Sequence, residues 1–329
     1  MKNILLLFLI AFIFGACSSK EVYEPKIVKD DWKFYGTKKE RIVDVSSDVA
    51  MLESRKVLLK DGVIETKVEE SHRLLGSSDG WIVSSSIDGE LTINYIEDAS
   101  MKKTFNLKKT IAAASAKNDI LAVLFADNEM ALYSISQNSL LVKIQGSPPV
   151  VVNAKIVNPY FMKDLVVFLT LDGKIVIVNV KLKKKLRTVI VSSEDNFNNI
   201  IDFKVVDSKL IASTGNKILS MAEKEIRVSY EIRNIAYDDI YIYITTKQGE
   251  IISLTPDLQV NAKVKFPFAH FLGLIMHKDK IYALEKEGYI IELSKDLLKY
   301  DVYEVDIEDG YIFVADKIFY IDDEYISFE

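Results

Sequence analysis

"DILAVLFADNEMALYSIS" (119–136) decides the fold. It is two apolar stretches, 119–127 and 128–136, that meet at Asp127-Asn128 with no room for a helix between them. Aliphatic, β-branched and aromatic side chains dominate both halves and proline is absent, the composition of buried strands. Asn128 is the turn residue, since asparagine tolerates positive φ almost as glycine does. The reading is a tight hairpin. "TIAAASAKN" (110–118) before it and "SLLVKIQG" (139–146) after it supply one more strand each, making a unit of four antiparallel strands.

The unit recurs. "SSSIDGELTINY", "FLTLDGKIVIVNV", "IASTGNKILSM", "ITTKQGEIISL" and "ALEKEGYIIEL" repeat the hairpin, with Gly89, Gly173, Gly215, Gly249 and Gly288 at the turn. The strand after each turn carries an apolar–polar–apolar triplet centred on Asn94, Ser134, Asn179, Ser220, Ser253 or Glu292. A step of roughly 40 residues built only from strands is the signature of a β-propeller. The fold expected is therefore all-β, a single propeller of four-stranded blades. Units fall at 72–109, 110–146, 150–192, 200–230, 232–267 and 270–303, and a last one from 304 lacks an outer strand. A strand from the other terminus would close the ring and remove its free edges. Residues 40–70 are the sequence's candidate for it, although 49–62 reads equally as helix. That gives seven blades, or eight if 40–70 forms a full blade of its own.

The amino terminus is of a different kind. Lys2, the apolar run "ILLLFLIAFIF" (4–14) and the small residues Gly15 and Ala16 read as a secretory signal, too short for a membrane span. Cys17 follows at once and is the only cysteine in 329 residues, so no intramolecular disulfide can form. Small-small-Cys resembles the bacterial lipobox, with Phe14 where that family prefers Leu. The resemblance implies that Cys17 is lipidated and that the chain is cut before it. Ser18 and Ser19 in place of Asp after the cysteine imply an outer-membrane address, on the periplasmic face. The expected organisation is a lipoprotein signal at 1–16, a lipid anchor and tether at 17–39, and the propeller at 40–329.

Composition narrows the function classes. The formal net charge is −6, and loss of Lys2 with the signal makes it −7, with the new amine acylated. A mildly acidic balance argues against a nucleic-acid binder, which normally carries a basic face. The segments "GELTINYIEDASMKKTF", "GEIISLTPDLQVNAKVKF" and "GYIIELSKDLLKYDVYEV" resemble degenerate pyrroloquinoline-quinone-type repeats, without that family's Thr-Gly-Lys turn or docking tryptophan. With the lipobox, the combination resembles the propeller lipoproteins of the outer-membrane barrel-assembly machinery. That resemblance implies a monomeric, non-catalytic scaffold that binds another envelope protein, a barrel-assembly protein above all. An adaptor in a motor or secretion system would use the same fold and anchor. A quinone- or sugar-handling enzyme is the remaining alternative.

Little in the chain suggests chemistry. His72, His270 and His277 lack partners at metal-binding spacing, no phosphate loop, dinucleotide fingerprint or G-x-S-x-G occurs, and no cofactor or metal is expected. Asp127, Asp172 and Asp316 fall where an aspartate serves its own turn. The basic run "KLKKKLR" (181–187) reads as a solvated turn and outer strand whose charges guard an edge, or as a contact for anionic lipid, peptidoglycan or an acidic partner. Partner binding is expected on the face built by connections between blades. Three stand out: "QGSPPVVV" (145–152) with Pro148 and Pro149, "SSEDNFNNI" (192–200) with Phe197, and "KFPFAHFLGL" (265–274) with Phe266, Phe268 and Phe271. Aromatics there are either plugs in blade seams or a shared docking patch.

Overall fold

A computed structural model describes residues 21–98 and 100–328, all strands and loops. The signal and Cys17 lie outside the described residues. Eight four-stranded blades follow one another at 42–67, 73–106, 111–145, 160–190, 202–229, 232–265, 271–304 and 312–327, the last completed by a strand from the amino terminus. Strand A of each blade lies innermost and strand D outermost. Blade 3 follows its sequence reading closely, with strands Ile111–Lys117, Ile120–Phe125, Glu129–Ser134 and Ser139–Gln145.

The core is a ring of eight apolar clusters, and each lies in one seam between neighbouring blades. Ile42, Leu52 and Leu58 of blade 1 pack against Phe313, Ala315 and Tyr320 of blade 8, so the ring is closed. Fully burying each Leu, Ile or Phe contributes roughly 1.5–3 kcal/mol. The two faces of every blade are thus both apolar. This is why the inner strands read as continuous hydrophobic runs and not as a strict alternation.

The count is eight because 40–70 forms blade 1 and a different segment closes the ring. Tyr35–Thr37 pairs antiparallel with Glu324–Ser327 as the outermost strand of blade 8. Just before it, Asp30–Asp31 adds a fifth strand, parallel to Tyr300–Glu304, at the edge of blade 7. Residues 21–39, expected as tether, therefore lie on the propeller. Their polar composition is that of an edge strand, and Tyr23 and Trp32 anchor them at 6% and 8% exposure. The helix alternative at 49–62 fails at Arg55, which turns the chain at φ 67° between strands Ala50–Leu52 and Lys56–Leu59. Its guanidinium donates to the carbonyls of Val68, Glu69 and His72 and holds a turn that contains no glycine.

The hairpin turns adopt positive φ at Gly89, Asn128, Gly173, Gly249 and Gly288, as expected. At Gly215 they do not. There the Thr214 hydroxyl accepts from the N–H groups of Asn216 and Lys217, and a side-chain turn replaces the backbone one.

Candidate functional site

Most of the polar groups singled out in the sequence are occupied by local structure, while His277 Nε2 is buried without a hydrogen-bond partner. His72 is buried in blade 2 with Nδ1 3.2 Å from Ser84 Oγ and Nε2 3.4 Å from Glu90. His270 lies against the Arg233 guanidinium at 2.7 Å, and His277 ends strand A of blade 7. Asp172 pairs with Lys174 at 2.5 Å and accepts from Thr170 Oγ1 at 2.6 Å, and Asp127 pairs with Lys109 and accepts from the Glu129 N–H at 3.2 Å. Burial works against the ionised form of both carboxylates, but these donors prevail and hold them below the usual range. Asp316 lies 3.9 Å from Lys60. One acidic trio, Glu308, Asp322 and Asp323, lies close together among the described residues, and Asp322 is already paired with Arg41 at 2.5 Å. Of the basic run, Lys181 pairs with Asp164 and Arg187 with Glu225, on a turn and the outer strand Lys184–Ile190.

The connection from blade 3 to blade 4 is where the structure departs furthest from a plain repeat. It spans 146–159 and leaves blade 4 with an inner strand of only three residues, Tyr160–Met162. Its second half reaches the central channel. The Asn158 side chain donates to the Leu75 carbonyl at 2.9 Å and to Asp48 at 3.3 Å, and accepts from the Ala114 N–H at 3.2 Å. One side chain thus joins blades 1, 2 and 3. Gly76 makes room for it, since a Cβ there would lie 2.1 Å from the Asn158 amide nitrogen. What remains of the channel is a cavity of about 440 Å3, lined by Lys155, Asp202, Lys204 and Tyr237 among others. The Tyr237 hydroxyl donates to Asp202, and burial pushes both groups up. Neither tryptophan lines this cavity. Trp81 is in the seam of blades 2 and 3, and Trp32 is at the rim of blades 7 and 8.

The first half of the same connection builds a surface. The Phe197 N–H donates to the Val151 carbonyl at 2.9 Å and ties it to the blade 4 to blade 5 connection. Asn199 sits beneath, accepting from the Asn153 N–H at 2.6 Å and donating to the Lys155 carbonyl at 2.8 Å. Asn198 donates to the Asp172 and Ser192 carbonyls. On this braced base Val150 is 80% exposed, Phe197 52% and Val151 42%, beside an exposed Pro148 and a half-buried Pro149. Phe197 has φ 53°, a left-handed conformation that costs a bulky residue roughly 1–2 kcal/mol and glycine nothing.

The six expected partner-binding residues therefore divide. Pro148, Pro149 and Phe197 come together. Phe266, Phe268 and Phe271 lie two blades further round the ring. Phe266 and Phe271 are buried at 3% and 2% and plug the seam of blades 6 and 7. Phe268 is exposed on a turn closed by the Ala269 N–H and the Phe266 carbonyl. The single shared face expected from the sequence is two separate surfaces. Val150, Val151 and Asn199 were not named from sequence. The signal for the valines was present, because β-branched residues straight after Pro-Pro have no strand partner to cover them.

Comparison with known proteins agrees with this architecture. No protein-family model matches the chain. It is 35% identical over 219 residues to plasminogen-binding protein PgbB of Helicobacter pylori strain J99, a match covering 66% of the chain and 40% of that protein. The PgbB of strain 26695 is 27% identical over 350 residues, covering 92% of the chain and 64% of that protein. The chain thus spans 40% and 64% of the length of these curated relatives. Among solved structures, BamB from Moraxella catarrhalis superposes with a TM-score of 0.67 at 12% identity, over 89% of this chain and 98% of BamB. The fold is BamB-like. The C-terminal WD40 domain of Sif2 follows at 0.64 and 11% identity, over 92% of this chain and 99% of that domain. At such identities the likeness concerns the fold alone.

Proposed function

We propose that this chain is a non-catalytic protein-binding propeller, held at the bacterial envelope by lipid on Cys17, that docks another protein on the Pro148–Val151 and Phe197 surface. The observation that carries the reading is Phe197 itself. A large apolar side chain is held half-exposed in a backbone conformation that glycine or asparagine would adopt at lower cost, on a base of hydrogen bonds that fixes its direction. Exposed, rigid aromatics of this kind are the usual anchors of protein interfaces. The blade 3 to blade 4 connection narrows the channel where propeller enzymes place their sites, and His72 and His270 are engaged by neighbouring side chains of the blades.

The partner class follows from the anchor and the relatives. Attachment to the periplasmic face of the outer membrane would present the surface to envelope proteins, and a role in outer-membrane protein assembly is the function we assign. A second reading is favoured by the printed name of the relatives, plasminogen-binding protein, which makes a host protein the partner. Binding of plasminogen to the purified chain, measured with and without Phe197→Gly, separates the two. Tight binding lost in the variant selects the host protein. Failure to bind, with recovery of an assembly protein by crosslinking in cells, selects the envelope.

A further inference from the structure

A second apolar surface lies at the outer rim of the seam between blades 6 and 7, and residues 21–29 run along it. Tyr23 is wedged edge-on between Phe266 and Tyr289, with ring centroids 6.0 and 5.7 Å away. Lys29 donates its N–H to the Val302 carbonyl at 2.8 Å and its ammonium to Asp301 at 2.7 Å. This strap and the rim enclose a groove of about 1160 Å3. Around its mouth Ile27 is 79% exposed, Phe268 57% and Tyr300 52%. Phe268 is held at φ 66°, so here too an exposed phenylalanine occupies a left-handed turn position.

Chain length decides what meets this groove. Cys17 precedes the docked Tyr23 by six residues, which span about 20 Å when fully extended. The tether expected over 17–39 would have reached more than three times as far. The strap consumes most of it, so a lipid on Cys17 keeps this rim within about 20 Å of the bilayer.

We propose that the rim at Ile27, Phe268 and Tyr300 rests on the phospholipid surface, with these side chains at the headgroup–acyl boundary. The inference rests on the reading of Cys17 as lipidated. Aromatic rings with a polar tip or neighbouring cation suit that boundary, and Lys26 and Lys265 flank the groove, both exposed. Glu21 and Glu24 on the strap balance those two charges, and Lys29 is already paired with Asp301. The contact is therefore apolar in origin and needs no anionic lipid. The propeller stands edge-on, and the Phe197 surface, two blades round the ring, is held clear of the membrane.

The test uses the full mature lipoprotein in phosphatidylethanolamine vesicles containing brominated lipid. Intact mass first establishes whether Cys17 is acylated. Phe268→Trp and, separately, Ile27→Trp place an indole at the rim. Ile87→Trp places one on the far side of the ring, at a turn of blade 2 where Ile87 is 78% exposed. The native Trp32 and Trp81 are buried and give a constant background. The expected result is quenching of the added rim emission by about twofold or more, with the blade 2 indole unaffected. Acylated protein whose rim indoles are not quenched, or are quenched no more than the blade 2 indole, overturns the orientation and leaves the anchor standing. A concentration-dependent blue shift without quenching assigns the groove to a second copy and overturns the proposal. An unmodified Cys17 overturns both the anchor and the proposal.

Discussion

The backbone N–H of Phe197 donates to the carbonyl of Val151 at 2.9 Å, across 46 residues and two connections between blades. Phe197 has φ 53° there and is 52% exposed, and Val150, next to its bonded partner Val151, is 80% exposed. Replacing Phe197 by glycine should keep the turn and remove only the ring. The unfolding free energy is expected to stay within about 1 kcal/mol of wild type, because relief of the left-handed strain offsets the greater freedom of unfolded glycine. Partner affinity should fall at least about tenfold, as for loss of an interface anchor. Denaturant midpoints and titration calorimetry on the same preparation check both halves.

Phe271 makes the contrasting case. It is 2% exposed in the seam of blades 6 and 7, so Phe271→Ala should cost about 3–5 kcal/mol. Partner affinity of the folded fraction should be unchanged. A thermal melt paired with the same calorimetry separates a seam plug from a docking residue.

Asn158 and Gly76 should behave as a pair. Asn158→Ala leaves the Ala114 N–H and the Leu75 carbonyl without this partner, and removes one donor from Asp48, at an expected cost of about 2–3 kcal/mol. Gly76→Ala drives a methyl into the Asn158 amide and should cost about 1–3 kcal/mol. Because both act by unseating the same connection, the double variant should lose less than the sum of the two. Urea midpoints of the three variants measure the coupling.

The amino-terminal segment that closes the ring is anchored by Trp32, which packs in the seam of blades 7 and 8 on Tyr303, Phe328 and Tyr282 at 5.1 to 5.9 Å. Trp32→Ala should cost about 3–5 kcal/mol. Hydrogen exchange should accelerate in the outer strands of blades 7 and 8 together, since the segment carrying Trp32 supplies an edge strand to both.

Lys38 gives a pH signature to the same closure. Its ammonium lies 3.6 Å over the Tyr320 ring without a hydrogen-bond partner, and burial lowers its pKa from 10.5 to about 8. Between those values the unfolded chain binds more protons than the folded one, so this group's penalty is complete below about 8 and fades as the pH rises to 10.5. Lys38→Met should be more stable than wild type at pH 7, and the difference should shrink across that window. Urea titrations at pH 7, 9 and 10.5 test it.

The repeat was legible because each hairpin turn needs a residue that accepts positive φ and each strand needs apolar neighbours on both sides. Asn128 with its flanking strands was sufficient to place blade 3 almost residue by residue. Blade 1 was not legible in the same way. Its turn at Arg55 is stabilised by three carbonyls 13 to 17 residues away, which no local pattern reveals. The strap was read as tether because an edge strand has little to bury, and only Tyr23 and Trp32 betray it. At the proposed docking surface, Phe197 was visible as an aromatic in a polar loop. Its partnership with Val150 and Val151 depends on two connections meeting in space, and so does the separation of Phe268 from them.

The most direct test of the central claim is crosslinking in cells from a photoreactive amino acid placed at 197, with the same group at 240 on the opposite face as control. The account predicts a discrete adduct with one envelope or host protein at 197, absent at 240, and competed away by excess of the soluble partner but not by a folded Phe197→Gly chain bearing no crosslinker. Equal adducts at both positions, or none at 197 from a correctly folded and anchored protein, would contradict it.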